Sequence, residues 1–175
     1  AHEDVANVFG DLLAKGEIPL RVTHNDTKLN NIMIDDVTRK GICVIDLDTV
    51  MSSTSLNDFG DAIRSYTHTG AEDDEDLSRV SMNIDTFKHY TAGYLSERCA
   101  TMTETEKEWL AFSAIYITYE QVLRFLMDYI DGDTYYKICY ADHNLVRTHA
   151  QYRLLQSMEA QYEAMRSVIE ELLAE

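Results

Sequence analysis

The sequence predicts a mainly α-helical fold that carries one small β-hairpin. Three observations lead there. Two long stretches in the second half place apolar side chains three and four residues apart, the spacing of a helix with one buried face. Two short β-branched runs, 32–34 and 42–45, flank the turn formers Asp35, Asp36 and Gly41 and read as a hairpin. Hydrophobic residues make up 45% of a 175-residue chain, enough to bury the core of one domain.

The elements follow in order. A helix is expected over 3–15, where Val5, Val8, Phe9, Leu12 and Leu13 form a stripe; Gly16 stops it and Pro19 stiffens the exit. Residues 21–31 are polar and read as a loop. After the hairpin comes a loop rich in Ser and Thr, then a short helix near 57–66. The acidic run 71–76 (AEDDED) reads as a solvated loop or helix start. A helix is expected over 83–99. Thr103 and Glu106 have the spacing of a capping box and open a long helix that runs to about Asp131, where Gly132 ends it. Its expected buried face is Trp109, Phe112, Tyr116, Tyr119, Leu123, Leu126 and Ile130. One last helix is expected over 142–173, buried through Leu155, Met158, Tyr162, Met165, Ile169 and Leu172. These aromatic and methionine stripes are core packing, not cofactor boxes. Neither internal repeats nor low-complexity linkers interrupt the chain.

Charge narrows the function classes. Fifteen Lys and Arg stand against 31 Asp and Glu, a formal net charge of −16. A surface of that sign repels phosphate backbones, so nucleic acid is not an expected partner. No apolar run reaches the length of a membrane span and no signal peptide opens the chain, so a cytoplasmic protein off the membrane is expected. Cys43, Cys99 and Cys139 form no C-x-x-C pair and are expected as reduced, mostly buried thiols. The chain starts without methionine and inside an expected helix, which suggests a fragment.

The unusual chemistry flanks the hairpin. His24-Asn25-Asp26-Thr27-Lys28-Leu29-Asn30-Asn31 matches H-x-D-x-x-x-x-N, and Val44-Ile45-Asp46 closes the second strand. Phosphoryl transfer needs a carboxylate that orients the attacking hydroxyl and accepts its proton late. It also needs hard oxygen ligands for magnesium. A carboxamide five residues after the base, and a carboxylate across a hairpin, can bring both to one edge. The bland alternative is that Asp26 and Asn31 form a turn and His24 packs its ring. A third segment, Asn57-Asp58-Phe59-Gly60-Asp61-Ala62-Ile63-Arg64, adds to the first two.

The segments THNDTKLNNIMID, VIDLDTVM, LNDFGDAIR and RFLMDYIDGDTYYKI, which span most of 20–160, resemble the aminoglycoside phosphotransferase and choline kinase superfamily. The first two segments carry the likeness to that branch of the protein-kinase-like fold. The last two resemble the bacterial kinases that phosphorylate N-acetylhexosamines at the anomeric hydroxyl. The resemblance implies that the chain is the C-terminal lobe of such an α+β fold. It implies Asp26 as catalytic base, Asn31 and Asp46 as magnesium ligands, and His24 and Asp61 as braces of the catalytic loop. Lys28 is read either as a phosphate contact or as a solvated lysine. Asp58-Phe59-Gly60 spells the protein-kinase metal motif, but Asp46, not Asp58, follows directly on the hairpin; Asp58 is read as a helix N-cap or a loop-bracing carboxylate.

Too few residues precede His24 for a Gly-rich turn and a strand-borne lysine, so residues 1–175 are expected to lack the nucleotide-clamping N-terminal lobe and to be inactive alone. The implied activity uses ATP as co-substrate and Mg2+, and the implied acceptor is an amino sugar. A choline- or aminoglycoside-type kinase, or a kinase-like binding module without activity, are the alternatives. Arg124 and Tyr135 are the expected acceptor contacts: Arg124 lies beside the apolar stripe, where its bland partner is Asp128 one turn on, and Tyr135 follows the Gly132 break.

Overall fold

The computed structural model describes Val5 and residues 7–174. Among the described residues, seven α-helices and four very short strands make a mainly α fold. The first helix, α1, spans Val8–Ala14 and ends at Gly16, whose φ of 72° lets the chain turn back. Of the helix expected over 3–15, residues 3, 4 and 6 lie outside the described ones.

The hairpin forms as expected, from β2 (Ile32–Ile34) and β3 (Gly41–Val44), with Ile32 opposite Val44. Asp35 closes its turn by accepting the Val37 and Thr38 amides. A second antiparallel pair was not expected. Arg21–Thr23 forms β1 and pairs with β4, Met51–Ser53, where 21–31 and the Ser/Thr-rich stretch both read as loop. Strands of three residues carry too little alternation to be seen, and their partners lie far apart in sequence. The β1–β4 pair closes the two ends of the 24–50 segment, which contains the Asp26 loop and the hairpin. The strands leave their apolar side chains outside: Val22, Ile42 and Val44 are all more than half exposed.

The helices build the core. Helix α2 (Ser55–Tyr66) starts two residues before the expected 57, because the Thr54 side chain caps it by accepting the Leu56 amide. Thr54, and not Asp58, is therefore the N-cap. Helix α3 (Ile84–Arg98) is capped by Asn83. The Thr103–Glu106 capping box is present, but it opens a short helix, α4 (Glu104–Glu108), and the chain pauses at Trp109 before the long α5 (Leu110–Ile130). The single last helix is likewise two, α6 (His143–Ala160) and α7 (Tyr162–Ala174), divided at Gln161. The terminal stripe holds: Leu155, Met158, Met165 and Ile169 are buried.

Helix α5 lies between α2 and α6, and its buried face is not the expected one. Leu123 is 36% and Ile130 71% exposed, whereas Ala114, Thr118, Val122 and Phe125 are buried. A helix enclosed on two sides buries small and polar residues that apolar spacing does not mark. Trp109, Phe112 and Tyr116 are only half-buried and pack around Phe9 of α1. The α2–α5 approach is very close at Gly60, where an added Cβ would stand 2.3 Å from the Ser113 carbonyl oxygen. Only glycine allows that spacing.

Two further expectations are corrected. The three cysteines are free thiols, but Cys43 and Cys139 are exposed and Cys99 is half-buried; Cys43 sits on a strand with every residue exposed. The acidic run is not merely solvated. Asp74 is buried and accepts the Asp76 amide, Glu72 pairs with Arg64, and Asp73 takes the buried His143 ring. Among the described residues no helix is long and apolar enough to cross a membrane.

Glu106 ties three elements together. Its carboxylate is fully buried and accepts both Nε and Nη2 of Arg21 at 2.6 Å, the Ser55 hydroxyl at 2.7 Å and the Thr103 amide at 2.8 Å. Burial alone would raise this carboxyl; the Arg21, Thr103 and Ser55 hydrogen bonds overcome it and hold the pKa at about 2, below the ordinary 4.5. A depressed folded pKa stabilises fully above the unfolded value and is lost as pH falls through the folded one. Glu106→Gln, which leaves Arg21 unpaired, is expected to cost about 3 kcal/mol near neutral pH. The gap to the native chain should shrink as the pH drops from 4.5 towards 2. Urea unfolding across that range measures it, and equal midpoints at pH 7 would remove Glu106 as a tie.

Candidate active site

The 24–31 loop is held from below by one helix. Asp58 and Asp61 stand one turn apart on α2 and point their carboxylates at the loop backbone. Asp58 accepts the His24 amide at 2.9 Å and the Asn25 amide at 2.7 Å. Asp61 accepts the Thr27 amide at 2.7 Å, and the Thr27 hydroxyl donates to the Asp58 carbonyl. Burial pushes the Asp58 carboxyl up, against the two amides that favour its charge. Asn25 takes a φ of 61°, a conformation asparagine tolerates better than most residues. Its side chain donates to the Thr49 carbonyl, and the Thr49 hydroxyl donates to the His24 carbonyl.

His24 links this loop to the hairpin. Its Nδ1 accepts the Asp26 amide, so the proton sits on Nε2, which donates to the Ile45 carbonyl at 3.0 Å. The Ile45 amide donates in turn to the Asn31 carbonyl. Asp46 follows at once, in a left-handed conformation with φ 63°.

Asp26 is thereby presented with one oxygen held and one open. Its Oδ2 accepts Lys28 Nζ at 2.7 Å and Asn31 Nδ2 at 2.8 Å; Oδ1 makes no hydrogen bond among the described residues. Burial works to raise the Asp26 carboxyl, but the bonds from Lys28 and Asn31 reverse this and hold it below the ordinary carboxylate range. Lys28, expected either as a phosphate contact or as a solvated lysine, is ion-paired with Asp26 and its side chain is 40% exposed. Burial opposes its charge, yet Asp26, Asp46 and Asp61 keep its pKa above the usual lysine value, so these carboxylates share one neighbourhood.

The two side chains expected to hold magnesium, Asn31 and Asp46, carry the hard oxygen donors such an ion takes. Asn31 spends its amide nitrogen on Asp26, through Nδ2 to both the carbonyl and Oδ2, which leaves its amide oxygen for a ligand. Asp46 supplies an exposed carboxylate. Among the described residues no three His, Cys, Asp or Glu side chains gather into a complete metal cage. Magnesium is usually bound by one or two protein oxygens together with phosphates and water.

A cleft of about 410 Å³ opens beside Asp26. The expected acceptor residues Arg124 and Tyr135 line it, together with residues that sequence reasoning missed: Arg64, Glu72, Gln121, Tyr136 and Arg147. Asp46 lines neither this cleft nor the smaller cavity of about 210 Å³, between Asn31 and the Tyr66 and Tyr90 rings, on which Asp26 also borders. Arg124 does not pair with Asp128. Its guanidinium lies 6.0 Å from the Tyr135 and 5.6 Å from the Tyr136 ring centre. Asp128 is taken instead by the loop after α5: it accepts the Thr134, Tyr135 and Tyr136 amides and the Asn144 side chain, all within 2.9 Å. Arg64 reaches from α2 to both Asp61 and Glu72, and so joins the loop brace to the cleft. The only sequence signals for these residues were an arginine one turn after Asp61 and an acidic run.

A family model described as the phosphotransferase enzyme family matches residues 1–90. The match spans the loop, the hairpin and α2, and stops before the α5 wall of the cleft.

If α2 sets the loop, Asp58→Ala should leave the His24 and Asn25 amides without an acceptor at a cost of about 2 kcal/mol. Amide hydrogen exchange should accelerate at those two positions and stay unchanged along α5. Unaltered protection at both would show that the strands alone hold the loop.

Proposed function

Because this chain belongs to the phosphotransferase enzyme family, we propose that it transfers the γ-phosphoryl group of ATP to a small-molecule hydroxyl, the anomeric hydroxyl of an N-acetylhexosamine. The observation that carries this reading is Asp26: one carboxylate oxygen fixed by Lys28 and Asn31, the other open, beside a cleft of substrate size. Small-molecule sites occupy roughly 300–1,000 Å³, so the cleft suffices for one sugar.

The chemistry follows from the residues. Asp26 Oδ1 accepts the acceptor's O–H and orients its lone pair toward the γ-phosphorus. As the new P–O bond forms, the bond to the β-phosphate oxygen breaks, ADP leaves, and the hydroxyl proton passes to Asp26. A carboxyl held low in pKa is a weak base. It suits a transition state with little covalent bonding, in which the proton moves late. Lys28 secures Asp26 in that pose. Asn31 and Asp46 would hold magnesium, which offsets charge on the nucleotide phosphates. Tyr135 and Tyr136 offer ring faces, and Arg124 and Gln121 offer donors to sugar hydroxyls. On this reading the described helices are the catalytic lobe of a kinase-like fold.

In the full-length protein, Asp26→Asn is expected to lower turnover roughly 100- to 10,000-fold while nucleotide affinity stays near that of the native protein. Near-native turnover would take Asp26 out of the mechanism. Magnesium titrations in the presence of ATP should separate two carboxylates. Asp46→Ala should weaken metal binding far more than Asp58→Ala, since Asp58 is spent on backbone amides. The reverse order would reassign the metal to Asp58. Turnover on choline or an aminoglycoside, with none on N-acetylglucosamine or N-acetylgalactosamine, would refute the sugar and keep the family.

A further inference from the structure

Charge in this protein is very unevenly placed. The chain is acidic overall, at −16, yet five of its fifteen lysines and arginines line the cleft beside Asp26. The only acidic residues in that lining are Asp26 and Glu72. Two of the five cations are neutralised within the fold: Lys28 by Asp26, and Arg64 by Asp61 and Glu72. The other three are not. Arg124 comes from α5, Lys137 from the loop after it and Arg147 from α6.

Among the described residues none of these three makes an ion pair with a carboxylate. Their partners are neutral. Arg124 reaches Gln121 Oε1 at 3.5 Å and lies by the two tyrosine rings. Arg147 donates to Asn144 Oδ1 at 2.9 Å and to the Lys137 carbonyl, and lies over the Phe125 ring. Such contacts fix where the guanidinium groups sit and leave their charge uncompensated. Asp73 is near enough to feel Arg147, but its hydrogen bond goes to His143. Three like charges converging on one cleft repel one another. Hydroxyl groups need donors, not net charge, so an uncharged sugar would not offset that repulsion; an anion would.

We propose that the acceptor carries a negatively charged substituent, and that Arg124, Lys137 and Arg147 seat it while the reacting hydroxyl meets Asp26. This rests on the reading of the cleft as a kinase acceptor site. The substituent is a carboxylate, sulfate or phosphate on the sugar. Planar guanidinium forks and an ammonium group serve any of these. The same field turns away choline and aminoglycosides, which bring positive charge.

Calorimetry on the full-length protein tests this with N-acetylglucosamine, its 6-phosphate, its 6-sulfate, its 1-phosphate, choline and kanamycin. The 6-phosphate or 6-sulfate should bind at least about tenfold tighter than the neutral sugar, with a preference that salt erodes. Lys137→Gln, at an exposed loop position, and Arg147→Gln should remove most of that preference and change neutral-sugar affinity little. The proposal is overturned by equal affinity for neutral and charged sugars, by tighter binding of choline or kanamycin, or by no sugar binding. It is equally overturned by a preference that survives both substitutions. Tight binding of the 1-phosphate alone also overturns it, since the cations would then hold the transferred group. Transfer of phosphate to the neutral sugar in preference to its anionic forms defeats this inference and leaves the kinase reading intact. Anion-selective binding without any transfer from ATP does the opposite.

Discussion

Everything at this site depends on two carboxylates of one helix. Asp58 and Asp61 accept the backbone amides of residues 24, 25 and 27, a stretch with no helix or strand partner of its own there. Backbone N–H groups that lose water must find an acceptor. Charged acceptors make these bonds stronger than a neutral loop could manage for itself. With the amides so fixed, Asn25 can sit at positive φ, and Asp26 emerges with its Oδ2 toward Lys28 and Asn31. The brace is continued outward by Arg64, which binds Asp61 on one side and Glu72 on the other.

The helices transmit that order to the other wall of the cleft. Helix α2 carries the brace, α5 carries Arg124, and the contact between them at Gly60 and Ser113 has no room for even a methyl group. Interiors this tightly packed have low compressibility and transmit strain, so the position of α5 is set against that of α2. The distance from Asp26 to the arginine wall is therefore a property of helix packing. Charge follows the same plan: acidic residues dominate the chain as a whole, while cations gather where α2, α5 and α6 line the cleft beside Asp26.

What could be read in the amino-acid sequence was what is local in it. The capping box at Thr103 and Glu106, the Asp-Asp-to-Gly hairpin and the stop at Gly132 each lie within a few residues, and each stands where local chemistry puts it. The H-x-D-x-x-x-x-N spacing likewise brought Asp26 and Asn31 into hydrogen-bond contact. What joins distant segments was illegible. The β1–β4 pairing has no alternation to betray it, and the buried face of α5 runs through Ser113, Thr118 and Gln121 because a helix lies on each side. The acidic run seemed a solvated stretch, since nothing in its own residues names Arg64 or His143 as partners. Of the cleft, Arg124 and Tyr135 were found, and Lys137 and Arg147 were not, because a basic wall exists only once the loop after α5 folds back toward α6.

That fold-back is the work of Asp128, and it bears on the entropy of association. Four donors converge on one buried carboxylate, and three of them are consecutive backbone amides, so the loop bearing both tyrosines has its main chain specified before any ligand arrives. Ordering a loop on binding normally subtracts from affinity, by roughly 1–2 kcal/mol of backbone entropy for each residue immobilised. Here that loss is already settled in folding, and the tyrosine backbone offers a visiting molecule a shape that does not have to be assembled around it.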